Sequence, residues 1–217
     1  MTRNAFIASL NELNDALLKM SVLTEKALAD AIDALERDDK ELAQKIYDSD
    51  DAIDDMEKEI ETMCINIIAT QQPIAGDLRL VTAVMKMITD LERIADHAAD
   101  ISEVILSMKV EQGAFDLAKL IEMAHQAKGM VKDSVKAYVS KNIELATEVC
   151  DRDETVDRLF YESVDSLRKL MSEHPALIET ATEYMFIAKY FERVGDHTTN
   201  IAEWAIYNIT GKHVHMQ

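Results

Sequence analysis

Two stretches of the chain, 100 residues apart, carry acidic side chains at the same four-residue spacing. The repeated positions are Glu92, Asp96 and Asp100 in the first stretch and Glu192, Asp196 and Asn200 in the second. On a helix with about 100° per residue, residues four apart lie on one face. Carboxylates stacked in this way repel each other, by a few tenths of a kcal/mol per pair when exposed. The chain either tolerates this repulsion in both halves or binds cations there.

A second set of acids precedes each of these stretches. Asp50 and Asp54 are repeated as Asp153 and Asp157, at an offset of 103 residues. Carboxylate oxygens suit hard cations such as magnesium, manganese, calcium or iron, and stacked carboxylates can bridge more than one ion. The alternative is a solvated acidic face, the commoner explanation of a single charge run. Repetition in both halves favours cation binding.

Apolar residues define where such a cation site would lie. The apolar stripe of the first acidic stretch is formed by Leu91, Ala95, Ala98 and Ile105. At helical spacing this stripe lies roughly opposite the acids. The pattern therefore predicts a site on the surface of a helical bundle and excludes a site deep in its core.

Each repeat also contains an arginine and a histidine beside the acids. His97 and His197 lie about 100° around the helix from the preceding acid, a position that favours a surface residue or hydrogen bonding between helices over metal ligation. Arg93 and Arg193 cannot ligate a metal, so we expect them to pair with acids of the neighbouring helix or to contact an anion.

Composition and periodicity predict an all-α protein. The 217 residues are 48% apolar and include only 5 glycines and 2 prolines. Apolar residues recur at steps of three and four over residues 4–35 and 40–69 and again in a third segment that ends near residue 108. The second half repeats this order. We therefore expect six long helices, arranged as two homologous three-helix bundles in tandem.

The junctions between helices repeat as well. Pro73 and Pro175 lie 102 residues apart and mark the same connection in each half. Gly113 stands in the polar segment between the halves, which is the best boundary. The predicted domains are residues 1–111 and 112–217, each a three-helix bundle with its own acidic motif.

Charge and cysteine content exclude several functions. The formal net charge is −18, which repels nucleic acid and anionic lipid. No apolar run approaches the roughly 18 residues of a membrane span, so direct membrane insertion is not expected. Cys64 and Cys150 lack a Cys-x-x-Cys spacing, and a reducing compartment fits them best.

Several of these segments together resemble a known family. They are the run Gln71-Gln-Pro-Ile-Ala-Gly-Asp-Leu-Arg79, Lys86, the run Asp90-Leu-Glu-Arg-Ile-Ala-Asp-His97 and the run Phe191-Glu-Arg-Val-Gly-Asp-His197. In length, doubling and motif order the whole chain closely resembles the PhoU family of phosphate-regulon regulators.

The resemblance implies a fold and a set of site residues. Members of the family are two three-helix bundles, and in some members surface carboxylates hold multinuclear metal clusters. By position, the implied ligands are Asp50, Asp54, Glu92, Asp96 and Asp100 in the first half and Asp153, Asp157, Glu192, Asp196 and Asn200 in the second. Iron, zinc, manganese or magnesium is the expected metal. Ala95 stands where a glycine such as Gly195 is usual, and Asn200 replaces an acid, which predicts weaker binding in the second half.

The resemblance also implies a function. The family restrains the phosphate-starvation response, and so acts indirectly on transcription. It works between a phosphate ABC transporter, through its ATPase subunit, and a sensor histidine kinase. This implies a cytoplasmic adaptor without enzymatic activity, held at the membrane only through protein partners, and leaves both a monomer and a homodimer open. The alternatives are a metal-dependent enzyme built on the carboxylates and a purely structural helical interaction protein.

Overall fold

The computed structural model describes residues 3–109 and 116–214, and these residues form helices and short connections without any strand. The helices are α1 (Arg3–Arg37), α2 (Lys40–Tyr47), α3 (Asp51–Gln71), α4 (Gly76–Ser107), α5 (Ala118–Ser140), α6 (Ile143–Glu173) and α7 (Ile178–Thr210), with a short 3-10 helix at Pro175–Leu177 before α7. The all-α prediction is confirmed.

Equivalent residues begin the second helix of each half. The Asp39 side chain accepts a hydrogen bond from the backbone N–H of Leu42 (3.0 Å), and Asn142 accepts one from Leu145 (3.0 Å). Each of these bonds satisfies a backbone donor that the first turn of a helix leaves free. Two prolines also lie at matching places, since Pro73 precedes α4 and Pro175 precedes α7.

The second helix of the first half differs from the prediction, which had one helix over residues 40–69. It is broken into α2 and α3 by a turn at residues 48–50. Ser49 bonds back to the carbonyl of Ile46 through both its backbone N–H (3.1 Å) and its hydroxyl (3.0 Å). Such local bonds compete with the helical pattern, and aspartate and serine are weak helix formers. The equivalent segment of α6 is continuous.

One hydrophobic core runs through both halves. Its buried side chains come from all seven helices, and the largest of them include Leu13, Leu28, Leu91 and Phe191. Helix α4 packs against α7, and α1 packs against α5, so the halves meet along two pairs of helices. The predicted boundary, between residues 111 and 112, lies outside the described residues, and the division into domains 1–111 and 112–217 stays a prediction.

Among residues 3–109 and 116–214, no helix is both long enough and apolar enough to cross a lipid bilayer.

Candidate metal centre

Helices α3 and α4, with the turn before α3, bring the acids of the first half together on one surface. We call Asp50, Asp54, Glu92, Asp96 and Asp100 the first acidic face. Asp50, Asp54 and Asp96 each offer a carboxylate oxygen within 4.8 Å of the other two, and no other group of three potential ligands does so within the described residues. All three are partly buried, while Leu91 and Ala95 on the opposite side of α4 are buried. These acids therefore lie at the surface of the bundle, and the cation site that they would form there stays a prediction.

Two carboxylates of the first acidic face, Asp50 and Glu92, have raised pKa values. Desolvation, followed by the charges of Asp96 and Asp54, raises the pKa of Asp50 to about 6. Desolvation and Asp96 raise the pKa of Glu92 to about 7, although Arg93 acts in the opposite direction. Carboxylates with raised pKa values gain most from a bound cation, which neutralises their mutual repulsion.

The arginine of the first half does not reach the neighbouring helix as expected. Arg93 pairs with acids of its own helix, Glu92 (3.3 Å) and Asp96 (2.8 Å). An open cavity of about 510 Å³ beside Asp50, Asp96 and Asp100 is lined by Arg93 and also by Arg193, which comes from the second half. The cavity beside the first acidic face is therefore not built from the first half alone.

Helices α6 and α7 form the second acidic face, which consists of Asp153, Asp157, Glu192 and Asp196. Desolvation, followed by Asp196, Asp157 and Glu192, raises the pKa of Asp153 to about 7. The pKa values of Asp157 and Asp196 are raised too, by desolvation and then by Glu192. Here a lysine intervenes, because Lys189 forms an ion pair with Glu192.

A glycine allows the close approach of α6 and α7 at the second acidic face. A methyl group placed on Gly195 would lie 2.7 Å from Asp153 Oδ1 and 3.3 Å from Val156 Cγ1. Asp153 Oδ1 is buried and has no hydrogen-bond partner among the described residues. An ionised oxygen in this position requires a cation or a proton.

Asn200 does not join the second acidic face. Its amide nitrogen donates to Asp90 Oδ1 (3.1 Å), and both residues line a separate cavity of about 420 Å³ with Lys86 and Trp204. The position equivalent to Asp100 is therefore turned toward α4 of the other half. The structure does not bring Asn200 to the acids it was predicted to join.

The two histidines lie where α4 and α7 meet. His97 is 4% exposed, its Nδ1 lies 3.2 Å from Asp100, and its ring stacks on Tyr190 (5.5 Å between centroids). His197 Nδ1 lies 2.9 Å from Asp90. Burial lowers the pKa of His97 despite its bond to Asp100. The prediction was a surface position or a hydrogen bond between helices. His197 forms such a bond from α7 to α4, whereas His97 is buried and its bond stays within α4.

Sequence reasoning missed Asp90 and Tyr190 as neighbours of these sites, and it did not place Arg193 beside the acids of the other half. Each reaches across from one half to the other, so the spacing along its own helix carries no sign of the contact. One signal of such contacts was present in the sequence: the repeat is broken where Asp90 in the first half corresponds to Tyr190 in the second.

The donor set fits a cation. Three aspartates with oxygens within 4.8 Å of one another, together with raised pKa values on both faces, match the oxygen ligands that magnesium, manganese and iron prefer. The first acidic face offers the more compact arrangement.

Comparison with known proteins identifies a family for the whole chain. The family model described as the PhoU domain matches residues 17–105 and again residues 120–205. A relative from Clostridium acetobutylicum, described as a phosphate-specific transport system accessory protein PhoU homolog, is 44% identical over 99% of this chain and 98% of its own length. A relative of the same description from Pseudomonas aeruginosa is 35% identical over 96% of this chain and 87% of its own length.

Solved structures share the fold. The crystal structure of PhoU from Pseudomonas aeruginosa has a TM-score of 0.91 and 34% identity, and the match covers 95% of this chain and 100% of that one. The phosphate transport system regulatory protein PhoU from Streptococcus pneumoniae has a TM-score of 0.91 and 30% identity, over 97% and 99% of the two chains.

Proposed function

The chain belongs to the PhoU family, and on that premise we propose that it is an accessory protein that regulates phosphate transport and phosphate signalling. The observation that carries this proposal is the 44% identity, over nearly the full length of both chains, to a phosphate-specific transport system accessory protein PhoU homolog. The doubled domain and the shared fold support it. The name describes an accessory protein, which supports a regulator over a metal-dependent enzyme.

The proposed partners are a phosphate ABC transporter, contacted through its ATPase subunit, and a sensor histidine kinase. When phosphate is plentiful, the protein represses the starvation response by holding the kinase in its silent state. The contact takes place on the cytoplasmic side of the membrane and is made through proteins, because a net charge of −18 is repelled by anionic lipid.

Metal binding at the two acidic faces is part of this proposal. Asp50, Asp54 and Asp96 would hold a cation in the first half, with Glu92 and Asp100 beside them, and the four acids of the second acidic face would hold another. Iron, zinc, manganese and magnesium are the candidates. A bound cation neutralises part of each face, which lets an acidic surface of a partner approach.

A gene deletion tests the regulatory role. In cells grown on abundant phosphate, loss of the protein should switch on the phosphate-starvation promoters, and the parent chain should silence them again. Promoters that stay silent after deletion would contradict the repressor function.

Substitution of the acids tests the role of metal separately. The triple variant Asp50→Asn/Asp54→Asn/Asp96→Asn should bind less metal, measured by elemental analysis of the untagged protein, and should repress less. Asp55→Asn is the matched control, because Asp55 also lies on α3 but is 76% exposed and pairs with Lys58. A triple variant that represses normally would remove the metal from regulation and leave the regulatory role intact.

A further inference from the structure

A groove on the outside of the first half has an apolar floor. It lies between α1 and the α2–α3 turn, encloses about 390 Å³, and is lined by Leu23, Ala27, Ile46 and Ile53 with Lys26 and Lys45. We call it the first-half groove. Leu23 is 41% exposed at its edge, Ala27 is partly buried, and Ile46 and Ile53 are buried at its floor.

The second half shows what fills the equivalent space. At the offset of 103 residues, Ala27 becomes Met130 and Ser49 becomes Arg152. Met130 is fully buried in the core. Arg152 extends across Gly129 and donates to Asp133 (2.7 Å) and to the carbonyl of Gln126 (3.5 Å). Two long side chains of α5 and α6 thus occupy the space that alanine and serine leave open in the first half.

The charged residues around the first-half groove define the chemistry of an occupant. Asp30 and Asp133 are equivalent residues, and each is paired with a cationic side chain. Lys26 donates to Asp30 (2.7 Å), as Arg152 does to Asp133. Lys45 forms no ion pair or hydrogen bond within the described part of the chain. An occupant of the groove would therefore supply apolar side chains to fill it and a carboxylate to pair with Lys45. The lining carries two lysines and one aspartate, in a chain whose net charge is −18.

We propose that the first-half groove binds an amphipathic helix of a partner protein, whose apolar side chains enter the groove and whose carboxylates contact Lys26 and Lys45. Residues of α1 and α2 that are three or four positions apart form two ridges, and a third helix packs between such ridges through its own apolar face. The inference goes beyond the regulatory role because it names a surface and the chemistry of its occupant, independently of phosphate and metal.

The net charge of the chain does not oppose this occupant at close range. At about 0.15 M salt the Debye length is about 8 Å, so charges far from the groove are largely screened, while the two lysines and the one aspartate that line it act directly on the occupant. Acidic helices should therefore bind better than basic helices of the same apolar pattern.

A binding assay with the full chain tests the proposal. The probe is a blocked, fluorescent helical peptide of about 18 residues, five turns, with leucines on one face and glutamates beside them. The matched peptide carries lysines in place of the glutamates. Fluorescence anisotropy should show at least about tenfold tighter binding of the glutamate peptide, the size expected from one or two contacts with charged groups.

Filling the groove is the decisive variant. Ala27→Met transfers the buried methionine of the second half into the first half, and should weaken binding of the glutamate peptide by at least about tenfold. Ser49 is left unchanged, because Lys26 stands where Gly129 makes room for Arg152. Because Ala27→Met adds apolar contacts, it should unfold at a urea concentration no lower than the parent, which separates loss of binding from loss of folding. Lys26→Glu/Lys45→Glu should reverse the preference between the peptides, whereas the control Lys132→Glu/Lys136→Glu on α5 should keep it.

Three outcomes would overturn the proposal. The first is that neither peptide binds the parent chain, and the second is that the filled variant binds as well as the parent. The third is that the parent sediments as a dimer that the filled variant turns into a monomer, in which case the occupant is a second copy of this chain.

Discussion

The two halves differ most where their acids are carried. In the second half, α6 runs unbroken past Gly195, and a methyl group there would lie 2.7 Å from Asp153 Oδ1. In the first half the equivalent residue is Ala95, and the chain facing it is broken at residues 48–50, beside Asp50. The first half, which has a methyl group at this position, has a turn in the facing chain, and the second half, which lacks the methyl group, has a continuous helix there.

This difference gives similar acids two kinds of support. In the first acidic face, Asp50 lies in the turn between α2 and α3, and its carboxylate lies close to those of Asp54 and Asp96. In the second acidic face, Asp153 is fixed on a continuous helix and one of its oxygens is buried without a hydrogen-bond partner in the described chain. The first face is the more compact, and the second is held by the closer packing of its helices.

The largest expected effect is on metal affinity, and its size should differ between the two acidic faces. Asp96→Asn removes a ligand from the compact triad and should weaken metal binding by about 100-fold, at the upper end of what loss of a supporting group does. Asp196→Asn should have a smaller effect, because we expect the less compact second face to bind metal less tightly. Titration of metal-free protein with manganese or iron checks the order, and equal losses would contradict it.

The close packing at Gly195 should show in both stability and binding. Gly195→Ala gains about 1 kcal/mol of helix propensity but forces apart α6 and α7, which costs about 1–3 kcal/mol, so we expect a net loss of about 1 kcal/mol in urea unfolding. It should also weaken metal binding at the second face by displacing Asp153.

Ala95→Gly is the matched control for Gly195→Ala. It should also lose about 1 kcal/mol, through helix propensity alone, and leave metal binding at the first face unchanged. If both variants change metal binding equally, the glycine does not explain the difference between the halves.

The stability of metal-free protein should depend on pH through the same acids. The pKa of Asp50 is raised to about 6 and that of Asp153 to about 7, against an ordinary value of 3.8. Between these values the folded chain binds more protons than the unfolded chain, so stability falls as pH rises from about 4 to about 7. The effect is reduced by solvent screening, because these carboxylates are partly exposed.

Thermal unfolding at about pH 5 and about pH 8 measures this effect, and we expect a melting temperature a few degrees lower at the higher pH. Asp153→Asn should flatten the profile over the higher part of this range and Asp50→Asn over the lower part. Added metal should oppose the trend, because cations bind the deprotonated carboxylates. A profile that rises toward pH 8 without metal would contradict the raised pKa values.

The smallest expected effect concerns Arg152, whose side chain is 25% exposed in its pair with Asp133. Arg152→Ala should destabilise the chain by about 1 kcal/mol or less, as for most partly exposed ion pairs, and should leave metal binding at both faces unchanged. Urea unfolding checks the first expectation. A loss several times larger would contradict the first expectation, and weaker metal binding at the second acidic face would contradict the second.

The sequence predicted the parts of this molecule that depend on local periodicity. The helical class, the repeat and the surface position of Glu92 and Asp96 follow from spacing along single helices. The pairing of Asn200 with Asp90 does not, because it arises from a contact between helices far apart in the chain. The break at residues 48–50 depends on local bonds from Ser49 to Ile46, which the apolar spacing over residues 40–69 does not record. A missing side-chain atom at residue 195 affects a residue 42 positions away in sequence, Asp153, and no pattern within either segment records it.

The contact between His97 and His197, where α4 packs against α7, bears on the ancestry of the chain. His97 and His197 are equivalent residues, and their ring centroids are 5.6 Å apart. Equivalent residues touch each other only beside a two-fold axis, as in an isologous dimer. The packing of α4 on α7 and of α1 on α5 follows the same rule. The molecule therefore has the architecture of a homodimer of three-helix subunits joined into one chain, as duplication and fusion of one gene would produce, and its two halves are free to differ in sequence.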